Sequence, residues 1–334
     1  MEKIKVIIYG CGVMGRKIVQ ALLDKKSFKI VGAVDIDPKI VGKDLGRLLE
    51  SPKKLGLKVE KNASALFSRV KADAVVHTTT SGLKGVFPQI AQCIRAGLNV
   101  VSTCEELSYP WKRSAKLAKE LDRFARKKGV TVVGTGINPG YLMDTLPLVL
   151  TGPCLKVNSI KITRMMNSAK RRIPFQAKVG TGLTTKEFRE KIDKKIITGH
   201  VGLLESINMI AAGLGWTLDE AVEIPPRPVL AKAPTKSALG VVAPGKVIGL
   251  ISQAYAKKNG KKLITLEFCA HAGVKKEYDE IIVEGTPRIH EKILGGVHGD
   301  LGTVAMTINV IPRTIEARPG LKTMKDLAPA VAIL

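Results

Sequence analysis

The chain has 334 residues, 45% hydrophobic and only 4% aromatic, enough for about two domains with cores built from Val, Ile, Leu and Ala. Its formal charge of +25 would suit a nucleic-acid surface, but the lysines are spread along the chain with no aromatic ladder between them, so no nucleic-acid partner is expected. No apolar run reaches the ~18 residues of a membrane span, so no membrane partner is expected, and five scattered cysteines without a CxxC pair argue against a disulfide framework or a zinc site.

Met1-Glu2-Lys3-Ile4-Lys5-Val6 runs straight into a strand pattern without the layout of a signal peptide, so a cytoplasmic protein is expected. Strands are expected at 5–9 and 29–34, with a helix over 13–23 between them. Further strands follow at 74–77, 99–103 and 130–134, separated by helices over 87–96 and 114–128 that stop at Gly97 and Gly129. This strand–helix rhythm predicts an α/β protein whose N-terminal Rossmann domain, residues 1–145, is a doubly wound parallel sheet. Residues 146–300 read as a second, α+β domain with a mostly antiparallel sheet. Its elements are a strand over 157–166, a helix over 203–214, a proline-rich connection at 223–228 and a helix over 246–256. The Asn259-Gly260 turn and strands at 263–268 and 280–283 follow. Residues 301–334, with a helix over 303–310, are expected to return to the first domain.

Gly10-Cys11-Gly12-Val13-Met14-Gly15 has the G-x-G-x-x-G spacing between a strand and a helix, the context that makes it a pyrophosphate cradle. Gly10 permits the turn, Gly12 lets the backbone approach the ligand, and Gly15 lets the helix pack against the strand. Asp35 stands 20 residues past Gly15 (35 − 15), the place of a ribose-binding carboxylate. The cofactor implied is NAD or NADP: Asp35 favours NAD, whereas Arg16 and Lys39 can reach a 2′-phosphate. Thr78, Thr79 and Thr80, at the next strand end, and Asn138 and Pro139, in the glycine-rich loop at 134–140, are further cofactor candidates. The alternative for each is an ordinary cap or loop.

Glu105 and Glu106 follow a strand end in Ser102-Thr103-Cys104-Glu105-Glu106-Leu107. Adjacent side chains point apart, so one of the two is expected to face the ligand. A carboxylate there can take a proton from an ammonium substrate and then from an attacking water. The competing role is to complement a helix N-terminus.

The run Val100–Leu107, the opening Gly10–Arg16 with Asp35-Ile36-Asp37-Pro38, and Gly299-Asp300-Leu301-Gly302-Thr303 resemble the 2,4-diaminopentanoate dehydrogenases. These belong with the native amine dehydrogenases in a group resembling dihydrodipicolinate reductase. The resemblance implies NAD(P)-dependent oxidative deamination of a small diamino acid, with a glutamate at the 105/106 position handling the amine. It also implies a homodimer formed through the second domain's sheet. The paired-histidine, lysine-bearing segment of dihydrodipicolinate reductase itself is absent. Related homoserine- or aspartate-type dehydrogenases and a non-catalytic nucleotide-binding protein are the other readings.

In the second domain Arg164, Arg171 and Arg172 are candidates for a carboxylate clamp. His200 and His298, each beside glycine and before a helix, are candidates for the substrate site, and Gly180-Thr181-Gly182 reads as a flexible loop. No His/Asp cluster suggests a metal, and hydride transfer requires none.

Overall fold

A computed structural model describes residues 2–50, 52–171 and 173–333. The chain divides into two compact units, Met1–Tyr141 with Gly299–Leu334, and Leu142–His298. Among the described residues no helix is long and apolar enough to cross a membrane.

In chain order the first unit begins with β1 (Ile4–Tyr9), α1 (Val13–Leu23), β2 (Phe28–Val34), β3 (Val59–Glu60), α2 (Ala63–Arg69) and β4 (Ala74–His77). It continues with α3 (Leu83–Arg95), β5 (Asn99–Ser102), α4 (Ala115–Lys128) and β6 (Thr131–Gly134). The second unit carries α5 (Thr145–Leu150), β7 (Lys156–Met166), α6 (Ile173–Lys178), α7 (Thr185–Asp193), α8 (Leu203–Gly213), β8 (Glu220–Leu230) and β9 (Thr235–Ser237). It ends with β10 (Gly240–Val242), β11 (Val247–Lys258), β12 (Lys261–His271), β13 (Tyr278–Thr286) and β14 (Ile289–Leu294). The chain then returns to the first unit with α9 (Gly299–Asn309), α10 (Ile311–Glu316) and β15 (Gly320–Lys322).

The first sheet is parallel throughout, in the order β15-β6-β5-β4-β1-β2-β3. Val6, Ile7 and Ile8, Val75 and Val76, and Val100 and Val101 are wholly buried, as strands covered on both faces must be. Each such side chain contributes about 1.5–3 kcal/mol by leaving water. The strand order reverses between β1 and β4, and ligands bind at the carboxyl ends of strands beside such a switch point. α4 stops at Gly129 in the left-handed conformation, φ +67°, as the sequence suggests. α3 starts at Leu83 rather than near Phe87, because the Glu106 carboxylate accepts the Leu83 N–H at 2.8 Å. That tertiary cap leaves no local signature.

The second sheet has the order β14-β13-β7-β12-β11-β8, antiparallel except for the β7–β12 pair. Two expectations fail here. Residues 246–256 form strand β11 rather than a helix. Leu250, Ser252, Ala254 and Ala256 are buried while Ile251, Gln253, Tyr255 and Lys257 are partly exposed, a period of two. Gly249 and three β-branched residues also weaken a helix there. The proline-rich 223–228 segment is part of β8, an edge strand whose ladder shifts register twice; prolines are tolerated at such an edge. The Asn259-Gly260 turn does join two strands, with both residues at positive φ, as a tight hairpin requires. The 180–182 loop is pinned rather than free: Gly182 N–H donates to Val247 O at 2.7 Å and Thr181 is buried.

Candidate active site

Gly10 ends β1 at φ +100°, and a Cβ there would lie 2.6 Å from Thr78 O. A Cβ on Gly15 would lie 2.0 Å from Gly10 O. Both positions are therefore closed to any side chain. Gly12 is different: nothing lies within 4 Å of its missing Cβ, and no side chain caps the N-terminus of α1. Backbone N–H groups at that helix end thus face an open space of the kind that takes a phosphate. Val13 is exposed and Met14 half-buried at the same turn, while Cys11 is buried. Desolvation pushes the Cys11 thiol up to about 12, so it is a packing group.

Asp35 follows β2. Its Oδ2 accepts the Cys11 N–H at 2.6 Å and its Oδ1 accepts the Asp37 N–H at 2.9 Å. The carboxylate is thereby held next to the glycine turn, as a ribose ligand must be. Arg16 donates to Gly12 O at 3.3 Å and to Leu48 O at 3.4 Å, and Lys39 is exposed. These residues fit a dinucleotide: open cradle, helix N-terminus and oriented acid occur together in the first unit.

The three threonines divide their work. Thr78 Oγ1 donates to Gly10 O at 2.7 Å, locking the turn. Thr79 Oγ1 bonds Gln89 Oε1 at 2.8 Å and lies 3.1 Å from His77 Nε2. Thr80 is exposed. Asn138 and Pro139 lie in the loop after β6, which Gly140 closes at φ +125°, where a Cβ would meet Gly136 N at 2.4 Å. Thr135 Oγ1 in this loop is buried without a hydrogen-bond partner.

The twin glutamates sit in a single 3-10 turn, Glu105–Leu107, after β5. The structure separates their roles. Glu106 Oε2 caps α3 at Leu83, and its Oε1 lies 3.9 Å from Arg113 Nη1. Glu105 is half-buried, and no hydrogen bond or ion pair among the described residues engages its carboxylate. The turn is anchored by Ser102 Oγ, which accepts the Cys104 N–H at 3.1 Å and lies 2.9 Å from His77 Nδ1. His77 is fully buried between Ser102 and Gln89, and burial lowers its pKa to about 4.

In the second unit Arg164 is 2% exposed on β7. Its Nε lies 3.5 Å from Asp279 Oδ1, and its Nη2 donates to Val297 O at 2.5 Å. Asp279 in turn accepts the Val297 N–H at 2.8 Å, so the pair holds the loop ending in His298. Burial lowers the Arg164 pKa and raises that of Asp279, their mutual attraction opposing both shifts. His200 stacks on Phe268 with ring centroids 4.4 Å apart, and its backbone N–H donates to Ser252 Oγ at 3.2 Å. Burial, with the charges of Arg164 and Lys178, lowers the His200 pKa to about 3. Arg171 lies over the Phe175 ring at 5.1 Å and its charge acts on Arg164, and Arg172 lies outside the described residues. Among the described residues no His, Cys, Asp and Glu cluster could hold a metal ion.

Asp279, Phe268, Ser252 and Lys178 escape the sequence reading. One signal was available for Asp279: it shares a strand face with Ile281 and Val283, where a carboxylate is out of place unless it is paired.

A family profile described as the 2,4-diaminopentanoate dehydrogenase C-terminal domain matches residues 141–334. A second, the dihydrodipicolinate reductase N-terminus, matches residues 4–135. The chain is 36% identical to the 2,4-diaminopentanoate dehydrogenase of Acetoanaerobium sticklandii, covering 100% of this chain and 96% of that one. A solved amine dehydrogenase from Mycobacterium smegmatis superposes with a TM-score of 0.84 at 27% identity, over 98% of this chain and 97% of that one. A dipicolinate-bound dihydrodipicolinate reductase from Paenisporosarcina shares the fold at 13% identity, with a TM-score of 0.54 over 97% and 98% of the two chains.

Proposed function

The chain belongs to the 2,4-diaminopentanoate dehydrogenase family, and from that premise we propose that it oxidises 2,4-diaminopentanoate at C4 with NAD(P), giving 2-amino-4-oxopentanoate and ammonia. The observation that carries this reading is the division between the twin acids. Glu106 is spent on a helix cap, and Glu105 keeps its carboxylate disengaged at a strand end of the cofactor-fitting unit.

Gly12, the α1 N-terminus and Asp35 hold the dinucleotide, with Thr80, Asn138 and Pro139 as further contacts. Bound NAD(P) supplies the acceptor for the hydride released from C4. Glu105 takes a proton from the substrate ammonium, because only the neutral amine releases hydride. After that proton has passed to solvent, the same carboxylate holds a water against the iminium carbon and takes its proton as the C–O bond forms. Glu105 then gives that proton to the carbinolamine nitrogen, the C–N bond breaks with ammonia as the leaving group, and the hydroxyl proton passes to the carboxylate as the ketone forms. A positioned general base contributes about 10²–10⁴-fold to such a step.

The reading includes a homodimer through the second unit's sheet, where Ile251, Met165 and Ile282 are partly exposed on one face. Sedimentation checks it. All five cysteines are free thiols, which fits a cytoplasmic setting. The decisive experiment is to supply 2,4-diaminopentanoate with NAD or NADP and measure reduced cofactor and ammonia together. Equal yields of the two are expected, and no reduced cofactor with either dinucleotide defeats the reading.

A further inference from the structure

Four strands of the second unit place one residue each in a single row. Ser252 on β11 pairs with Phe268 on β12, Phe268 with Arg164 on β7, and Arg164 with Asp279 on β13. Side chains so paired stand about 5 Å apart on one face. Arg164 shares that face with Ile160 and Ile162, both 1% exposed, so its cation is set in an apolar layer. His200 caps the row, bonded to Ser252 and stacked on Phe268. Gly199 makes this docking possible: at φ +69° it lies so close that a Cβ would meet Pro226 Cγ at 2.5 Å and Ser252 Oγ at 2.8 Å.

The row is short of acceptors and of negative charge. Among the described residues Arg164 Nη1 has no hydrogen-bond partner, and Nε has only the loose contact with Asp279. His200 Nε2 and Thr181 Oγ1 are likewise buried without partners. Two cations, Arg164 and Lys178, act on His200, while Arg164 has the Asp279 carboxylate beside it and the cation of Arg171 acting against it. An unmatched buried guanidinium is costly, and a native fold keeps one where a ligand completes it.

We propose that this row is the carboxylate subsite of the enzyme: Arg164 Nη1 donates to one oxygen of the substrate's α-carboxylate, and His200 Nε2–H donates to the other. The proposal rests on the amine-oxidising reading above and says how that activity is directed to an amino acid rather than a plain amine. Two N–H donors, one of them on a cation, suit the two oxygens of a carboxylate. Asp279 at Nε is a positioning residue, and with Val297 O at Nη2 it holds the guanidinium so that Nη1 is left over.

The test uses two readouts. Norvaline, which carries the α-amino carboxylate but no C4 amine, is titrated calorimetrically into wild-type protein and into Arg164→Met. Wild type is expected to bind, and the variant to bind about 10–100-fold more weakly, the loss of a charged hydrogen-bond pair. In parallel, kcat/KM is measured for 2,4-diaminopentanoate and for pentan-2-amine; their ratio should fall by the same factor. If Arg164→Met does not fold, His200→Phe keeps the stack and removes the donor, and its ratio should fall about tenfold. Equal losses for both substrates, or norvaline binding unchanged in the folded variants, overturn the proposal. Wild type that binds norvaline yet turns over neither amine defeats the proposed activity while leaving the subsite standing.

Discussion

Replacing each of the twin acids by its amide should separate chemistry from architecture. Glu105→Gln removes a proton acceptor from a side chain that makes no hydrogen bond or ion pair among the described residues. Its expected cost is about 10²–10⁴-fold in kcat, roughly 3–5 kcal/mol of barrier, with an unchanged melting temperature. Glu106→Gln keeps an oxygen for the Leu83 N–H but loses the charge at the N-terminus of α3. That charge is worth about 0.5–1 kcal/mol, and its 3.9 Å contact with Arg113, whose side chain is 46% exposed, adds little. The first unit should therefore melt about 2–4 °C lower with activity largely retained. Steady-state formation of reduced cofactor and a thermal melt on the same samples read both effects. A dead Glu106→Gln beside an active Glu105→Gln would refute the assignment.

Asp35→Ser should lower kcat/KM for NAD by about tenfold or more and raise that for NADP, since a 2′-phosphate no longer meets a carboxylate; an unchanged ratio would place the ribose elsewhere. Gly15→Ala puts a Cβ 2.0 Å from Gly10 O, so dinucleotide affinity measured by calorimetry should collapse while the second unit still melts normally. Normal affinity in this variant would remove the glycine turn from the site. His77 has a folded-state pKa of about 4 against the ordinary 6.5. The unfolded chain takes the proton first, so this contribution is complete above pH 6.5, declines as pH falls, and is gone below about 4. It amounts to about 3 kcal/mol. Urea midpoints at pH 7 and 4.5 should differ less in His77→Gln, and an identical pH slope would show that His77 titrates normally.

The first unit was legible because its signals are local. Gly10 and Gly15 are dictated by contacts with each other and with Thr78 at the end of the adjacent strand, and the aliphatic runs of β1, β4 and β5 mark strands buried on both faces. The second unit was harder to read. β11 begins Val247-Ile248-Gly249-Leu250-Ile251, an apolar run without a clear period, and only its two sheet neighbours decide that it is extended. The division between Glu105 and Glu106 depends on Leu83, 23 residues away. Arg164 was a candidate as one of three nearby arginines. What singles it out is its pairing across the ladder with Asp279, 115 residues on (279 − 164). Spacing cannot encode such pairings; register does.

β15 sets a condition on how the protein is made. β6 has β5 on one side and, on the other, only residues 320–322. While the ribosome is still translating the second unit, the first therefore has a bare strand edge that can recruit a stray strand. The Asp122 carboxylate, which accepts the Leu321 N–H at 2.9 Å, has no such donor until then. Nascent chains arrested before residue 320 should thus be more prone to aggregation and proteolysis than the full-length product, however well the glycine turn has already formed.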